Sequence, residues 1–240
     1  MNLVVDIGNS NIKLAMYRGA GLVFLERFTD SQLIEMDQLL SEYQASRAII
    51  SSVRSIPEGF RKLIESRVAT VHYLSENTLL PFRVSYKTPE TLGRDRIAAV
   101  AGGFSRFPDS DVLVIDAGTA ITFEFLSAGS YLGGNISPGI RMRFRALNAF
   151  TGSLPLVEPS EEYSSPGLST TDAIRAGVIN GVVYEINEYI RTFKNNYKNL
   201  RIILTGGDGH FLEGKIEPEC LHVPELVTDG LNFILEYNAQ

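Results

Sequence analysis

An apolar run that ends in an aspartate and a glycine turn occurs twice in this chain, and that duplication limits the fold more than any other feature. Leu3-Val4-Val5 leads into Asp6-Ile7-Gly8-Asn9, and Val112 to Ile115 leads into Asp116-Ala117-Gly118-Thr119. After each turn apolar residues alternate with others, Ile12, Leu14 and Met16 in the first copy and Ile121, Phe123 and Phe125 in the second. That is the pattern of a strand with one buried face. Each copy then carries helical segments and a later apolar strand ending in small residues. Arg47-Ala-Ile-Ile-Ser-Ser and Arg201-Ile-Ile-Leu-Thr-Gly echo each other. Helices are expected over Leu33 to Tyr43, Phe60 to Ser66 and about Asp172 to Phe193, the last with Ile174, Val178, Val182, Ile186 and Ile190 at four-residue steps. The reading is an α/β protein made of two duplicated halves, 1–109 and 110–240, with a cleft between them. The boundary falls near the turn-rich Phe107-Pro108-Asp109-Ser110. The stretch Thr151 to Thr170, rich in Ser, Pro and Glu, reads as a long loop.

Composition removes several function classes. Of 240 residues, 44% are hydrophobic and 21% charged, the balance of a folded domain with a sizeable core. A formal net charge of −6 would be repelled by a nucleic-acid backbone, so no nucleic-acid partner is expected. No apolar run reaches the ~18 residues that span a bilayer, and no basic segment with a cleavable apolar stretch opens the chain. No membrane association is expected. Cys220 is the only cysteine, which excludes an intrachain disulfide and fits a cytoplasmic location. His72, His210 and His222 show no ligand spacing with each other or with Cys220, so no zinc site is expected.

The turns carry the chemistry. Asp6 ends a strand, Gly8 lets the backbone approach a ligand, and Asn9, Ser10, Asn11 and Lys13 offer amides, a hydroxyl and a cation to phosphate oxygens. A carboxylate beside a phosphate requires a bridging cation, which Mg²⁺ supplies. Taken alone, this is equally an ordinary hairpin turn, where Asp, Gly and Asn are favoured. The second copy, with Thr119 and Thr122, shifts the balance toward two turns that grip a polyphosphate. Gly93-Arg94-Asp95-Arg96 reads on spacing alone as a helix start with two solvated arginines, and alternatively as a carboxylate base beside cationic clamps. Gly133-Gly134 with Pro138-Gly139, and Thr205-Gly206-Gly207-Asp208-Gly209, are either plain turns or places of close ligand approach. Gly177 and Gly181, one helical turn apart, suggest close helix packing. Neither a Walker P-loop nor a Gly-x-Gly-x-x-Gly after the first strand is present.

The ordered set Asp-x-Gly-Asn-Ser, Gly-x-Asp-Arg, Asp-x-Gly-Thr-Ala-x-Thr, Gly-Gly-x-x-x-Pro-Gly and a late Thr-Gly-Gly resembles type III pantothenate kinases. These belong to the actin/hexokinase/Hsp70-like superfamily. The resemblance runs from Asp6 to Gly209 and implies duplicated ribonuclease H-like (actin-like ATPase) domains. It implies phosphorylation of pantothenate by ATP with Mg²⁺ and a monovalent cation, K⁺ or NH₄⁺, as the first step of coenzyme A biosynthesis. It gives Asp6, Gly8, Asn9, Ser10, Asn11, Lys13 and Thr119 to ATP, with Asp6 also near Mg²⁺. Asp95 becomes the base for the pantothenate hydroxyl. Tyr86, Gly93, Arg94, Asp95 and Arg96 line the substrate site, and Thr170 reaches it across a homodimer interface. Asp116 would hold the monovalent cation. The family pattern usually has Thr where Ser10 stands, and Ser keeps the hydroxyl. Two alternatives stand beside this: a non-catalytic accessory protein of the same family, and a phosphatase of the same superfamily. Intact Asp6, Asp95 and Asp116 argue against the first, and Gly-x-Asp-Arg against the second.

Overall fold

In a computed structural model, which describes residues 1–9, 11–217 and 220–239, the two apolar runs are central strands of two mixed sheets. In the first, β1 (Asn2–Ile7) pairs antiparallel with β2 (Ile12–Arg18), and β2 with β3 (Gly21–Phe28). On its other side β1 pairs parallel with β4 (Arg47–Ser52), which pairs with β5 (Thr70–Tyr73). All six residues of β1 are buried, which is why its sequence is a continuous apolar run and not an alternation. Helices α1 (Leu33–Ser41) and α2 (Glu58–Arg67) connect the later strands. Met36, Leu40, Phe60 and Ile64 from these helices close one core with Leu3, Val5, Leu14 and Ile50. The short β6 (Arg83–Val84) and α3 (Arg94–Arg106) follow.

The second sheet repeats the plan. The strands β7 (Val112–Ala117), β8 (Ala120–Ser127), β9 (Ser130–Pro138), β10 (Arg201–Thr205) and β11 (Cys220–His222) lie in the order β9-β8-β7-β10-β11. This sheet also carries the short β6 beside β9; the other five strands each have a counterpart in the first sheet, whose order is β3-β2-β1-β4-β5. The echo between Arg47-Ala-Ile-Ile and Arg201-Ile-Ile-Leu is therefore topological: both strands run parallel to the central one. Between β9 and β10 lie α4 (Ile140–Phe150) and the 27-residue α5 (Thr170–Asn196). The five residues spaced four apart on α5 are all buried against Ile115, Phe123 and Leu204. Residues 151–169 form no helix or strand, but Val157 within them is buried in this core. A four-residue α6 (Gly209–Leu212) joins β10 to β11.

The chain divides into two units. The first contains Met1–Pro108, Gly129–Leu132 and the chain from Glu225 onward; the second contains Asp109–Ala128 and Gly133–Pro224. Residues 129–132 belong to the first unit because β6 pairs with the start of β9, Val84 opposite Tyr131. The last helix, α7 (Leu226–Tyr237), packs on α3. The contact is close because its facing positions are small: a Cβ at Gly102 would stand 2.9 Å from the Leu226 side chain, and one at Gly230 would meet the Ala98 carbonyl. No helix among the described residues is long and apolar enough to cross a membrane.

Candidate active site

The first Asp-Gly turn forms at the C-terminal edge of β1, where open α/β sheets place ligands. Asp6 is 6% exposed, and Lys13, opposite it on β2, donates from Nζ to its Oδ2 at 3.2 Å. The turn closes through Gly8 N–H donating to Asn11 O at 3.0 Å, which leaves Asn9 and Asn11 exposed. Arg54 braces it from below: Nε donates to Gly8 O at 2.9 Å while the guanidinium forks onto Asp30. That pairing holds the Asp30 carboxyl below its ordinary range and the Arg54 guanidinium above. Ser51 lies beside Asp6 in register on β4; it is fully buried, and its Oγ has no partner among the described residues. An orphaned hydroxyl next to a buried carboxylate is an oxygen donor set suited to a hydrated hard cation. Ser10 lies outside the described residues.

The Gly-x-Asp-Arg segment also belongs to the first unit and opens α3, as the helix-start reading expects. The arginines are not solvated. Arg96 is 6% exposed; its Nη2 donates to Tyr131 Oη at 3.0 Å, and its guanidinium lies 5.6 Å from the Tyr86 ring centroid. Tyr86 and Tyr131 stack at 6.2 Å. Asp95, in the first turn of α3, accepts from Arg96 N–H at 2.9 Å through Oδ1. Arg94 pairs with Glu76 at 2.6 Å through Nη2, whereas its buried Nη1 has no partner among the described residues. Thus Tyr86, Gly93, Arg94, Asp95 and Arg96 form one group, organised by Tyr131. Tyr131 belongs to none of the sequence motifs. Its register opposite Val84 gives it this role, and no local signal announces that.

In the second unit Asp116 ends β7, in register with Thr122 on β8 and Thr205 on β10. Gly118 N–H donates to Ala120 O at 3.0 Å, and the Thr119 side chain is exposed. A carboxylate flanked by threonines is an all-oxygen donor set of the kind that hard cations take. Two glycine segments differ from expectation. Gly133 and Gly134 lie inside β9, and Gly139 packs against the Thr119 carbonyl, to which it donates at 3.1 Å. At Gly206, whose φ is +94°, a Cβ would stand 2.4 Å from both Ala117 O and Asp116 Oδ1. The close approach in both cases is to the chain's own Asp-Gly turn. A cavity of about 410 Å³ opens beside it, lined by Ile140, Arg141, Glu161, Gly207, Asp208 and Phe211. Burial raises the Asp208 carboxyl above its usual range, partly offset by Arg141. A second cavity, about 220 Å³ and lined by His72, Ser75, Thr78 and Asn238, contains none of the candidate residues. Thr170 is exposed at the start of α5, after Ser169, whose Oγ accepts from Asp172 N–H. Gly177 and Gly181 have no neighbour within 4 Å of a built Cβ, so helix packing inside this chain does not explain them.

Comparison with known proteins gives consistent results. The sequence model of the type III pantothenate kinase family matches residues 2–192. A type III pantothenate kinase from Phocaeicola vulgatus is 45% identical over 239 residues, covering 99% of both chains. One from Porphyromonas gingivalis is 43% identical over 242 residues, again covering 99% of both. Among solved structures, a Baf family protein from Campylobacter jejuni, titled a transcriptional activator, superposes with TM-score 0.63 at 26% identity, covering 99% of this chain and 98% of that one. A ROK family glucokinase from Streptomyces griseus, in complex with glucose and AMPPNP, gives TM-score 0.56 at 12% identity over 100% of this chain and 99% of that one. The latter supports the actin-like ATPase fold alone.

Proposed function

This chain belongs to the type III pantothenate kinase family, and from that premise we propose how its residues divide the phosphorylation of pantothenate by ATP, the first step of coenzyme A biosynthesis. The observation that carries the proposal is the group around Asp95. A carboxylate at the first turn of α3 stands beside a buried arginine clamped by two tyrosines, and beside Arg94 with a free buried N–H. Asp95 accepts the proton of the pantothenate primary hydroxyl as it attacks the γ-phosphorus of ATP in line. Arg94 and Arg96 bind the anionic substrate, and Tyr86 lines its site. Asn9, Ser10, Asn11 and Lys13, with the Gly8 backbone, bind the phosphates, and Thr119 contacts ATP. The cavity beside Gly207 and Asp208 takes the nucleoside end. Asp6, with Ser51, would hold Mg²⁺, and Asp116 would hold K⁺ or NH₄⁺; these cations would neutralise phosphate charge. Positioning and electrostatics supply most of the catalysis in phosphoryl transfer of this kind.

We further assign a homodimer. Thr170, Ala173, Gly177, Gly181 and Tyr184 share one stripe of α5, and Tyr184 is 68% exposed. A second copy covering that stripe would bring Thr170 to its neighbour's pantothenate. Replacing Asp95 by Asn tests the central assignment. Turnover, followed by coupled ADP release with pantothenate and K⁺, should fall at least about a hundredfold, with ATP affinity little changed. An Asn variant turning over at the wild-type rate would remove Asp95 from the role of base.

A further inference from the structure

The three histidines offer no metal spacing along the sequence, yet folding brings two of them to one carboxylate. His210 and Glu213 lie three residues apart at α6 and just after it, and His222 ends β11. Glu213 Oε2 is 2.8 Å from His222 Nδ1 and 3.5 Å from His210 Nδ1, and one ligand atom from each residue lies within 4.8 Å of the others. The His222 ring is fixed: its side chain is 11% exposed, and its Nε2 edge abuts Gly209, where a Cβ would stand 2.8 Å away. Nδ1 is thereby the nitrogen aimed at Glu213. His210 is 93% exposed and free to turn.

We propose that His210, Glu213 and His222 form a binding site for a divalent transition ion of the Zn²⁺ class. Two imidazoles and one carboxylate are a ligand set that Zn²⁺ takes with a water in the fourth position. Tetrahedral bonds of about 2.0–2.1 Å separate neighbouring ligand atoms by roughly 3.3 Å. The 3.5 Å pair already meets that spacing, and the 2.8 Å pair reaches it by a turn of the half-exposed Glu213. Nitrogen ligands select against Mg²⁺ and K⁺, which prefer oxygen, so this site differs in kind from those at Asp6 and Asp116. The bound ion would staple α6 to β11. It would also fix the segment through Gly207 and Asp208 that lines the 410 Å³ cavity, to which His210 itself contributes. The site does not depend on the kinase assignment.

The test is calorimetric titration of the full chain with Zn²⁺ in excess Mg²⁺ and K⁺, with the Co²⁺ visible spectrum as a second readout. One Zn²⁺ should bind per chain, and Zn²⁺ should raise the thermal midpoint. His210→Ala alters an exposed side chain and keeps the fold, and should weaken binding at least about tenfold while abolishing the Co²⁺ band. Glu213→Gln should do the same, and His72→Ala should change neither. An absence of binding to the wild type would leave the cluster a plain ion pair. Binding undiminished in His210→Ala would place the ion elsewhere; either result overturns the proposal.

Discussion

Asp208 shows how much a single side chain depends on its surroundings. Its carboxyl is half-buried at the start of α6, makes no side-chain cap, and is raised above the usual carboxylate range by burial. The folded state then binds its proton more tightly than the unfolded chain does. Stability falls as pH rises from the unfolded pKa of about 3.9 through the raised folded value, and the penalty persists above it. Asp208→Asn should therefore raise the thermal midpoint at pH 7, with the gain vanishing near pH 4. A variant that melts earlier at pH 7 would show that Arg141 outweighs burial. Asp95 and Arg96 illustrate the same dependence. The sequence supplied the residue types and the resemblance supplied roles, but only the Tyr131 and Tyr86 contacts distinguish a held arginine from a solvated one.

Elements were legible where their periodicity was strong. Helix α5 announces itself through its apolar residues at four-residue steps, because its buried stripe faces one core over its whole length. The central strands are equally plain, since burial on both faces favours the unbroken apolar runs Leu3–Val5 and Val112–Ile115. Helices α4, α6 and α7 and strand β11 were not read. They are short or lack strong start signals, and α7 is buried on so many sides that its period blurs. The α3–α7 contact rests on small residues whose meaning appears only with both helices in view. Gly230→Ala drives a methyl into the Ala98 carbonyl and should cost about 1–3 kcal/mol. Urea denaturation gives that figure, and an unchanged midpoint would mean that the helices move apart freely.

Across the whole molecule, the two sheets share one order over five strands, with β6 added to the second, and the chain crosses between units more than once. The stripe of α5 bearing Gly177, Gly181 and Tyr184 stays open within a single copy. If a second copy covers it, Gly181→Arg should convert a dimer to a monomer in sedimentation. It should also raise KM for pantothenate more than KM for ATP, because Thr170 lies on the same stripe. A monomeric wild type would sink the homodimer assignment.

The sequence by itself determined the duplicated strand-turn plan, the central strands and the kinase motifs, because each is written in neighbouring residues. The pair of Asp-Gly turns was visible before any coordinates. Tertiary structure alone decided the contacts that organise the site and its supports: Ser51 beside Asp6, Gly206 against Asp116, Tyr131 on Arg96, and α7 on α3. It also gathered His210, Glu213 and His222. Apart from the His210–Glu213 pair, these are contacts between residues separated in sequence, set by strand register and helix packing, which local pattern does not encode.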